Sequence, residues 1–286
     1  MENEKGIITF CKERIYTGWH GNVLFQTAAT IGIATKNGMD YCFPISDWTK
    51  NYFNAFVEGG IPQNAEVASL PTTDFTELNY HYDPVIFEDK TKNYNLLGYY
   101  QTKKYWSHCE DLIRKIFTFN DATKKYIEEK YSTLLQPKAD DSYLISIHVR
   151  RGDYLNNPNH HPVMSVQYYI DGAERIISML RENQKSKVKF VVCSDGIDWC
   201  KENFSDLEIF KDRIIFAEGN DQPQDMYLMT VCNSFIISNS TMSWWGSFLS
   251  NHKNKIIIAP TKDKWYGEAY KDWSLDDLYC DEWILI

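Results

Sequence analysis

Two segments of the chain carry residue types that bind an anion. His148-Val-Arg-Arg-Gly-Asp-Tyr154 places two guanidinium groups beside a glycine and a carboxylate. An Arg grips a phosphate through its planar fork, while a second Arg can brace the loop through an ion pair. Ser238-Asn-Ser-Thr-Met-Ser-Trp-Trp-Gly246 precedes a predicted helix, whose first N–H groups attract anions. We therefore predict that these two segments form a phosphate site.

Both segments also have a simpler interpretation. An Arg–Asp pair is enough to hold an ordinary surface turn, so the first segment alone does not demand a ligand. The second segment is explained equally well by helix capping through Ser240, Thr241 or Ser243. Strand geometry favours the phosphate site, because side chains alternate between the two faces and Arg150 follows His148 to the same face.

A third segment, Val191-Val-Cys-Ser-Asp-Gly-Ile-Asp-Trp199, places Asp195 just after a predicted strand. In a nucleotide-binding sheet, a carboxylate at that point often binds a ribose or base donor. The alternative is that Asp195 caps the helix that begins near Ile197.

A fourth segment, Gly18-Trp-His-Gly-Asn-Val-Leu-Phe-Gln26, is a glycine-containing loop that opens a predicted helix. Such a loop lets a ligand approach the backbone closely, here at Gly21 and Asn22. The chain has no GxGxxG, Walker-type, HExxH, GxSxG or Asp-x-Asp sequence. Dinucleotide, P-loop, zinc peptidase and serine hydrolase interpretations therefore have no support, and neither has a metal held by paired carboxylates.

Regular alternation of strands and helices in the second half predicts a parallel, doubly wound sheet. The predicted strands are Tyr143–Val149, Val188–Cys193, Arg213–Phe216, Phe235–Ser238 and Lys255–Ala259, and the helices are Ser165–Glu182, Ile197–Phe204, Asp225–Cys232 and Ser243–Ser250. Ligands of such a sheet bind beyond the carboxyl ends of its strands. Residues 148–154, 194–198 and 238–243 should therefore meet there.

The first half has a weaker pattern. Its predicted elements are strands Ile7–Phe10 and Tyr41–Pro44, a helix Asn22–Lys36 closed by Gly38, and helices near Cys109–Phe117 and Ala122–Leu135. Residues 45–100 have no assignable pattern. The charged, Pro-containing segment Gln136–Asp141 indicates a boundary between a domain at 1–138 and a domain at 139–286.

Composition excludes several functional classes. The 286 residues include 30 Lys and Arg against 39 Asp and Glu, a net charge of −9, which argues against a general nucleic-acid binder. No apolar run approaches the roughly 18 residues of a membrane span, and the acidic start shows no secretory signal. The seven cysteines are scattered, so we expect reduced thiols, a cytoplasmic protein and no metal site.

The segments around residues 148, 194 and 238, taken together, resemble the bacterial α-1,2-fucosyltransferases, glycosyltransferase family 11. Gly-Asn-x-x-Phe-Gln at 21–26 and Gly-Tyr-Tyr-Gln at 98–101 are similar to two further motifs of that family. The motifs follow the family order and span nearly the whole chain. The chain departs from the family at His20 and Val23, where Leu and Gln are usual.

This resemblance implies an α/β, GT-B-like architecture with two Rossmann-like domains facing across a cleft. It implies that the C-terminal domain binds GDP-β-L-fucose and that the N-terminal domain receives a galactose-terminated glycan. It further implies inverting transfer to O-2 of galactose without a metal or another cofactor. A GT-B transferase for another nucleotide sugar, or a non-catalytic glycan-binding protein, remains an alternative.

The resemblance also suggests roles for individual residues. Arg150 would stabilise the departing β-phosphate with the N–H groups near Ser240 and Thr241, and Asp153 is the nearest carboxylate for a general base. The predicted site residues are Arg150 and Asp153 for catalysis, and His148, Arg151, Asp195, Ser238, Asn239, Ser240, Thr241, Gly21 and Asn22 for donor binding. Because pairing with Arg lowers the pKa of an Asp, His20 or a mechanism that needs little base stays open as an alternative.

Overall fold

The computed structural model of the chain describes residues 5–10, 20–45, 52–57, 59–78, 81–135 and 142–286. Contacts group the chain into two compact units, Met1–Asp121 with Trp273–Cys280, and Ala122–Asp272 with Asp281–Ile286. This division differs from the predicted one at 138/139, and the predicted boundary segment 136–141 lies outside the described residues. The difference arises because residues 122–135 pack with the second unit: Lys130 Nζ donates to the Glu218 carbonyl and to Asn220 Oδ1, both at 2.6 Å.

The first unit contains a four-stranded parallel sheet in the order β2-β1-β4-β3. Its elements are β1 (Ile7–Thr9), α1 (His20–Asn37), β2 (Asp40–Tyr41), α2 (Asn54–Val57), β3 (Thr73–Thr76), β4 (Tyr94–Leu97) and α3 (Glu110–Ile116). The predicted helix is confirmed, and Gly38 ends it with a φ of +65° that favours glycine. The predicted second strand is shorter than expected, and two strands lie in the segment that had no assignable pattern.

The second unit contains a six-stranded parallel sheet in the order β10-β9-β8-β5-β6-β7. Its elements are α4 (Asp121–Lys130), α5 (Ser132–Leu135), β5 (Tyr143–Val149), α6 (Val166–Met179), α7 (Glu182–Lys185), β6 (Val188–Ser194), α8 (Ile197–Phe204), β7 (Ile214–Phe216), α9 (Gln222–Thr230), β8 (Ser234–Ile236), α10 (Thr241–Leu249), β9 (Ile257–Ala259), α11 (Lys262–Trp265) and β10 (Ile284–Leu285). All five predicted strands are present, and β10 adds a sixth.

The strand order of this sheet reverses between β5 and β8. The chain runs outward from β5 through β6 to β7, then returns to the other side of β5 and continues through β8, β9 and β10. This doubly wound order leaves a crevice at the carboxyl ends of β5 and β8, where open α/β sheets bind ligands.

Burial on both faces explains why the central strands are so apolar. All residues of β5 after Tyr143 are buried, as is most of β6. Helix α6 begins where the Ser165 hydroxyl accepts the Tyr168 N–H, as predicted. That helix lies against β8 so closely that a Cβ on Gly172 would stand 2.9 Å from Ile236 Cγ2. Among the described residues, no helix has the length and apolar character that a bilayer crossing requires.

Candidate active site

His148 and Ser238 join the two strands at which the sheet order reverses. His148 Nδ1 lies 2.7 Å from Ser238 Oγ, and both residues are buried. Burial, with a smaller contribution from the Arg150 charge, lowers the pKa of His148 to about 3. The imidazole is therefore neutral at physiological pH and links the phosphate-binding segments predicted at 148–154 and 238–243.

Arg150 follows β5 and lies between two carboxylates. One guanidinium nitrogen is 2.5 Å from Asp153 Oδ1, and the other is 2.8 Å from Asp195 Oδ2. The guanidinium carbon also lies 5.3 Å from the centre of the Tyr154 ring. The Arg150 side chain is 20% exposed, so it is held rigidly yet keeps a surface on which an anion can bind.

Asp195 contacts both a side chain and the backbone of the loop that follows β5. Its Oδ1 accepts the Arg151 N–H at 2.8 Å. Helix α8 is preceded by Gly196, which makes no side-chain cap, so capping by Asp195 was the wrong alternative. A Cβ on Gly152 would stand 2.5 Å from Asp195 Oδ2, which shows how closely the loop approaches the carboxylate.

Arg151 takes a different environment from Arg150, as strand alternation predicted. Its guanidinium carbon lies 3.8 Å from the centre of the Trp199 ring, a close cation–π contact. Trp199 is on α8, so this contact braces the loop after β5 against the helix after β6.

Helix α10 begins at the second predicted segment without a side-chain cap. Ser240 makes no capping hydrogen bond, and the Ser243 hydroxyl donates to the carbonyls of Ser238 and Ser240 at 3.3 and 3.0 Å. Thr241 is the first residue of the helix rather than its cap, so capping by Ser240, Thr241 or Ser243 was the wrong alternative for this segment. The first N–H groups of the helix, starting at Thr241, are donors that an anion can use.

Asn239 fixes this segment to its surroundings. Its side-chain Nδ2 donates to the backbone carbonyls of Pro162 and Trp265 at 2.9 and 3.0 Å. The backbone carbonyl of Asn239 accepts the Tyr154 hydroxyl at 3.0 Å. The Asn239 side chain is thus held through its nitrogen, while its buried Oδ1 makes no hydrogen bond within the described part of the chain. Tyr154 and Asn239 hold the two predicted segments together.

Gly21 and Asn22 lie in the first unit, inside the first turn of α1. The helix begins at His20, two residues earlier than predicted, and Gly18 and Trp19 lie outside the described residues. Asn22 Oδ1 accepts Gln101 Nε2 at 2.9 Å. Gln26 Nε2 donates to the Gly98 carbonyl at 2.7 Å. These bonds bring together the two N-terminal motifs, 21–26 and 98–101.

The family model of glycosyl transferase family 11 matches residues 62–286. The chain belongs to glycosyl transferase family 11. An α-1,2-colitosyltransferase of Escherichia coli is 35% identical over 58% of this chain and 54% of its own length. A galactoside α-(1,2)-fucosyltransferase 1 of Bos taurus is 30% identical over 54% of this chain and 43% of its own length. The chain thus spans about half the length of these curated relatives.

Solved structures support the fold class of this family 11 glycosyltransferase. NodZ α-1,6-fucosyltransferase co-crystallized with GDP matches with a TM-score of 0.54 and 16% identity, over 86% of this chain and 92% of its own. POFUT1 in complex with GDP-fucose matches with a TM-score of 0.56 and 12% identity, over 90% of this chain and 98% of its own. The predicted α/β, GT-B-like fold class is confirmed.

Several residues of the second unit with notable contacts or burial were missed from the sequence. Trp199 and Tyr154 stood inside recognised segments, but nothing in their spacing indicated that each would contact an Arg. Asp225, in the first turn of α9, receives Asn220 Nδ2 at 2.8 Å, and burial raises the pKa of its carboxyl to about 7. His161 lies in a segment that had no assigned role. In the described part of the chain, no group of three His, Cys, Asp or Glu side chains is arranged to hold a metal ion.

Proposed function

We propose that the chain transfers L-fucose from GDP-β-L-fucose to O-2 of a terminal galactose, with inversion at the anomeric carbon and without a metal. Membership of family 11 supports glycosyl transfer, and the names of the curated relatives support a 6-deoxyhexose donor and an α-1,2 linkage. We also propose that this occurs in the cytoplasm, since the six described cysteines are free thiols.

The position of Arg150 carries this proposal. A guanidinium held by Asp153 and Asp195 follows β5 at the reversal of the strand order, and the helix that follows the neighbouring strand β8 begins after Ser240 without a side-chain cap. A nucleotide diphosphate needs positive charge and N–H donors at one place, and this edge of the sheet offers both.

The reaction places its developing charge on the departing diphosphate. As the bond between the anomeric carbon and the phosphate oxygen breaks, the electron pair leaves with GDP. Arg150 and the first N–H groups of α10 would stabilise that charge, each donor contributing on the order of 3–4 kcal/mol. Because the ion pairs with Asp153 and Asp195 fix the guanidinium beforehand, little reorganisation is needed during the reaction.

Asp195 and His148 would serve the nucleotide end of the donor. Asp195 keeps 27% of its side chain exposed while binding Arg150. His148 is buried and neutral, so it supports the site through Ser238 rather than through charge. Arg151 would brace the loop from its position over Trp199.

Incubation with GDP-fucose and lactose in EDTA tests the proposal. The expected product carries fucose on O-2 of the galactose residue, identified by linkage analysis, with no loss of rate in the chelator. Absence of transfer, another linkage, or a rate restored only by added metal would contradict the corresponding part of the proposal.

A second candidate donor follows from the colitosyltransferase relative. Colitose is the 3-deoxy analogue of fucose, so the same diphosphate site would accept GDP-colitose. A thermal-shift panel of GDP-fucose, GDP-colitose, GDP-mannose and UDP-sugars separates these donors, because the tightest ligand raises the melting temperature most at equal concentration. A larger rise with GDP-colitose than with GDP-fucose would favour the second candidate.

A further inference from the structure

His161, in the loop that follows Gly152–Asn156, is an imidazole outside the recognised motifs. Its ring stacks on the Tyr154 ring with centroids 4.7 Å apart and planes 16° from parallel. Tyr266 and Tyr270 lie 5.6 and 5.9 Å from it, centroid to centroid. Nδ1 is buried and makes no hydrogen bond to any residue that the structure describes, and the ring packs against these three aromatic rings.

Backbone hydrogen bonds fix the loop that carries this imidazole. The N–H groups of His160 and His161 both donate to the Asn157 carbonyl at 3.0 Å. The Gly267 N–H donates to the His160 carbonyl at 3.0 Å, and Asn239 holds the Pro162 carbonyl. The imidazole is therefore preorganised, and through Asn239 it is attached to the segment that begins α10.

Tyr154 connects His161 to the proposed phosphate site. The Arg150 guanidinium lies 5.3 Å from the centre of the Tyr154 ring on which His161 stacks. The charges of Asp153 and Arg150 both act on the imidazole, so His161 lies near the ion pair that contains Arg150, the residue that would stabilise the departing diphosphate.

Asp153 is a poorer candidate than His161 for a proton acceptor. Its Oδ1 lies 2.5 Å from the Arg150 guanidinium, so protonation would weaken the pair that orients this Arg. Burial is the main cause that lowers the pKa of His161, with His160 and Arg150 acting in the same direction and Asp153 opposing them. Tyr154, Tyr266 and Tyr270 complete the surroundings. A neutral imidazole is the form that can accept a proton.

We propose that His161 is the general base of the transfer and takes the proton of the acceptor hydroxyl at Nε2. The O–H bond breaks and its electron pair forms the bond from oxygen to the anomeric carbon. The bond from that carbon to the diphosphate breaks, and its pair leaves with GDP. His161 then releases the proton to solvent. This inference rests on the proposed function, since it concerns the acceptor half of that reaction.

H161F tests the assignment, because Phe preserves the stack on Tyr154 and removes both nitrogens. Turnover with GDP-fucose and lactose should fall by at least ~100-fold, the scale of general-base catalysis. The Kd for GDP and the melting temperature should stay close to the wild-type values. The matched control is H252F, which changes an exposed His outside this loop and should keep turnover within about threefold.

Two further measurements separate a base from a purely structural residue. Added imidazole should restore part of the turnover of H161A in proportion to the imidazole concentration. The decrease in kcat/KM at low pH that the wild type shows should be absent in H161F. Turnover of H161F above about a third of wild type, or no rescue of H161A, would overturn the assignment. If the wild type transfers no fucose, the proposed function is wrong. If the wild type transfers fucose and the His161 variants are equally active, the proposed function stands and only the assignment of His161 as the base is wrong.

Discussion

The Arg150 guanidinium and the Asp195 carboxylate meet at 2.8 Å, although they follow two different strands of the second unit. The strands are the neighbours β5 and β6, and the same carboxylate receives the Arg151 N–H. One acidic side chain thus fixes both the side chain and the backbone of the loop after β5. Four expectations follow from this arrangement and its surroundings.

Removal of the guanidinium should abolish most activity without unfolding the protein. We expect R150A to lower kcat by at least ~100-fold, since preorganised donors act on charge that develops in the transition state. The melting temperature should change little, because Arg150 lies at a surface loop. R175A, which removes an exposed Arg from α6, is the matched control. Near-normal rates in R150A would remove Arg150 from the mechanism.

Loss of the Asp195 carboxylate should weaken nucleotide binding. We expect D195A to raise the Kd for GDP by about tenfold or more in calorimetry, because charge-assisted hydrogen bonds contribute roughly 1.5–3 kcal/mol. D195N keeps an acceptor for the Arg151 N–H and should fall between D195A and the wild type. Equal affinity in all three proteins would show that Asp195 has only a local structural role.

A methyl group on Gly152 should disturb the same carboxylate from the other side. Its Cβ would stand 2.5 Å from Asp195 Oδ2, so the carboxylate or the loop must move. We expect G152A to raise the Kd for GDP by about the factor seen in D195A, on the order of tenfold. G60A is the matched control, since a Cβ there meets nothing nearer than 3.4 Å. Wild-type affinity in G152A would mean that the close approach is not needed for binding.

Asp225 should make stability depend on pH. Burial raises the pKa of its carboxyl to about 7 from the ordinary 3.8, so the folded state holds a proton that the unfolded state releases. Stability contributed by the protonated group is present below about pH 4 and is lost as the pH rises toward 7. D225N does not titrate and can still accept from Asn220. We expect its melting temperature, relative to wild type, to rise between pH 5 and pH 8.

The control for this expectation is D206N, which alters an exposed carboxylate in the same unit. The difference between the melting temperatures of D206N and the wild type should be the same at pH 5 and at pH 8. If the difference between D225N and the wild type is also the same at both pH values, the pKa of the Asp225 carboxyl lies near its ordinary value.

The strands of the second unit that coincide with apolar runs were predictable from the sequence, and the two strands within residues 73–97 were not. Tyr143–Val149 is an apolar run bounded by polar segments, and the strand occupies those residues. Thr73–Thr76 is mostly exposed and has no apolar run, so its place beside β4 depends on pairing rather than on pattern. Helix α6 shows the same rule, since its apolar stripe and the Ser165 cap both appear in the sequence.

The candidate site was predictable only in part. Residue types and the ends of strands identified Arg150, Asp195 and the segment at 238–241. Neither the contact of Arg151 with Trp199 nor the stacking of His161 on Tyr154 has a signal in the sequence, because both depend on how the chain after β5 folds and packs.

The amino-acid sequence by itself determined the α/β class, the family and the choice of residues proposed to bind a diphosphate, because these depend on local pattern and on side-chain chemistry. Only the tertiary structure decided the reversal of strand order between β5 and β8, the partners of each Arg, and the environment of His161. Those features depend on which segments pack together, and burial in that packing sets the charge state of groups such as His148 and Asp225.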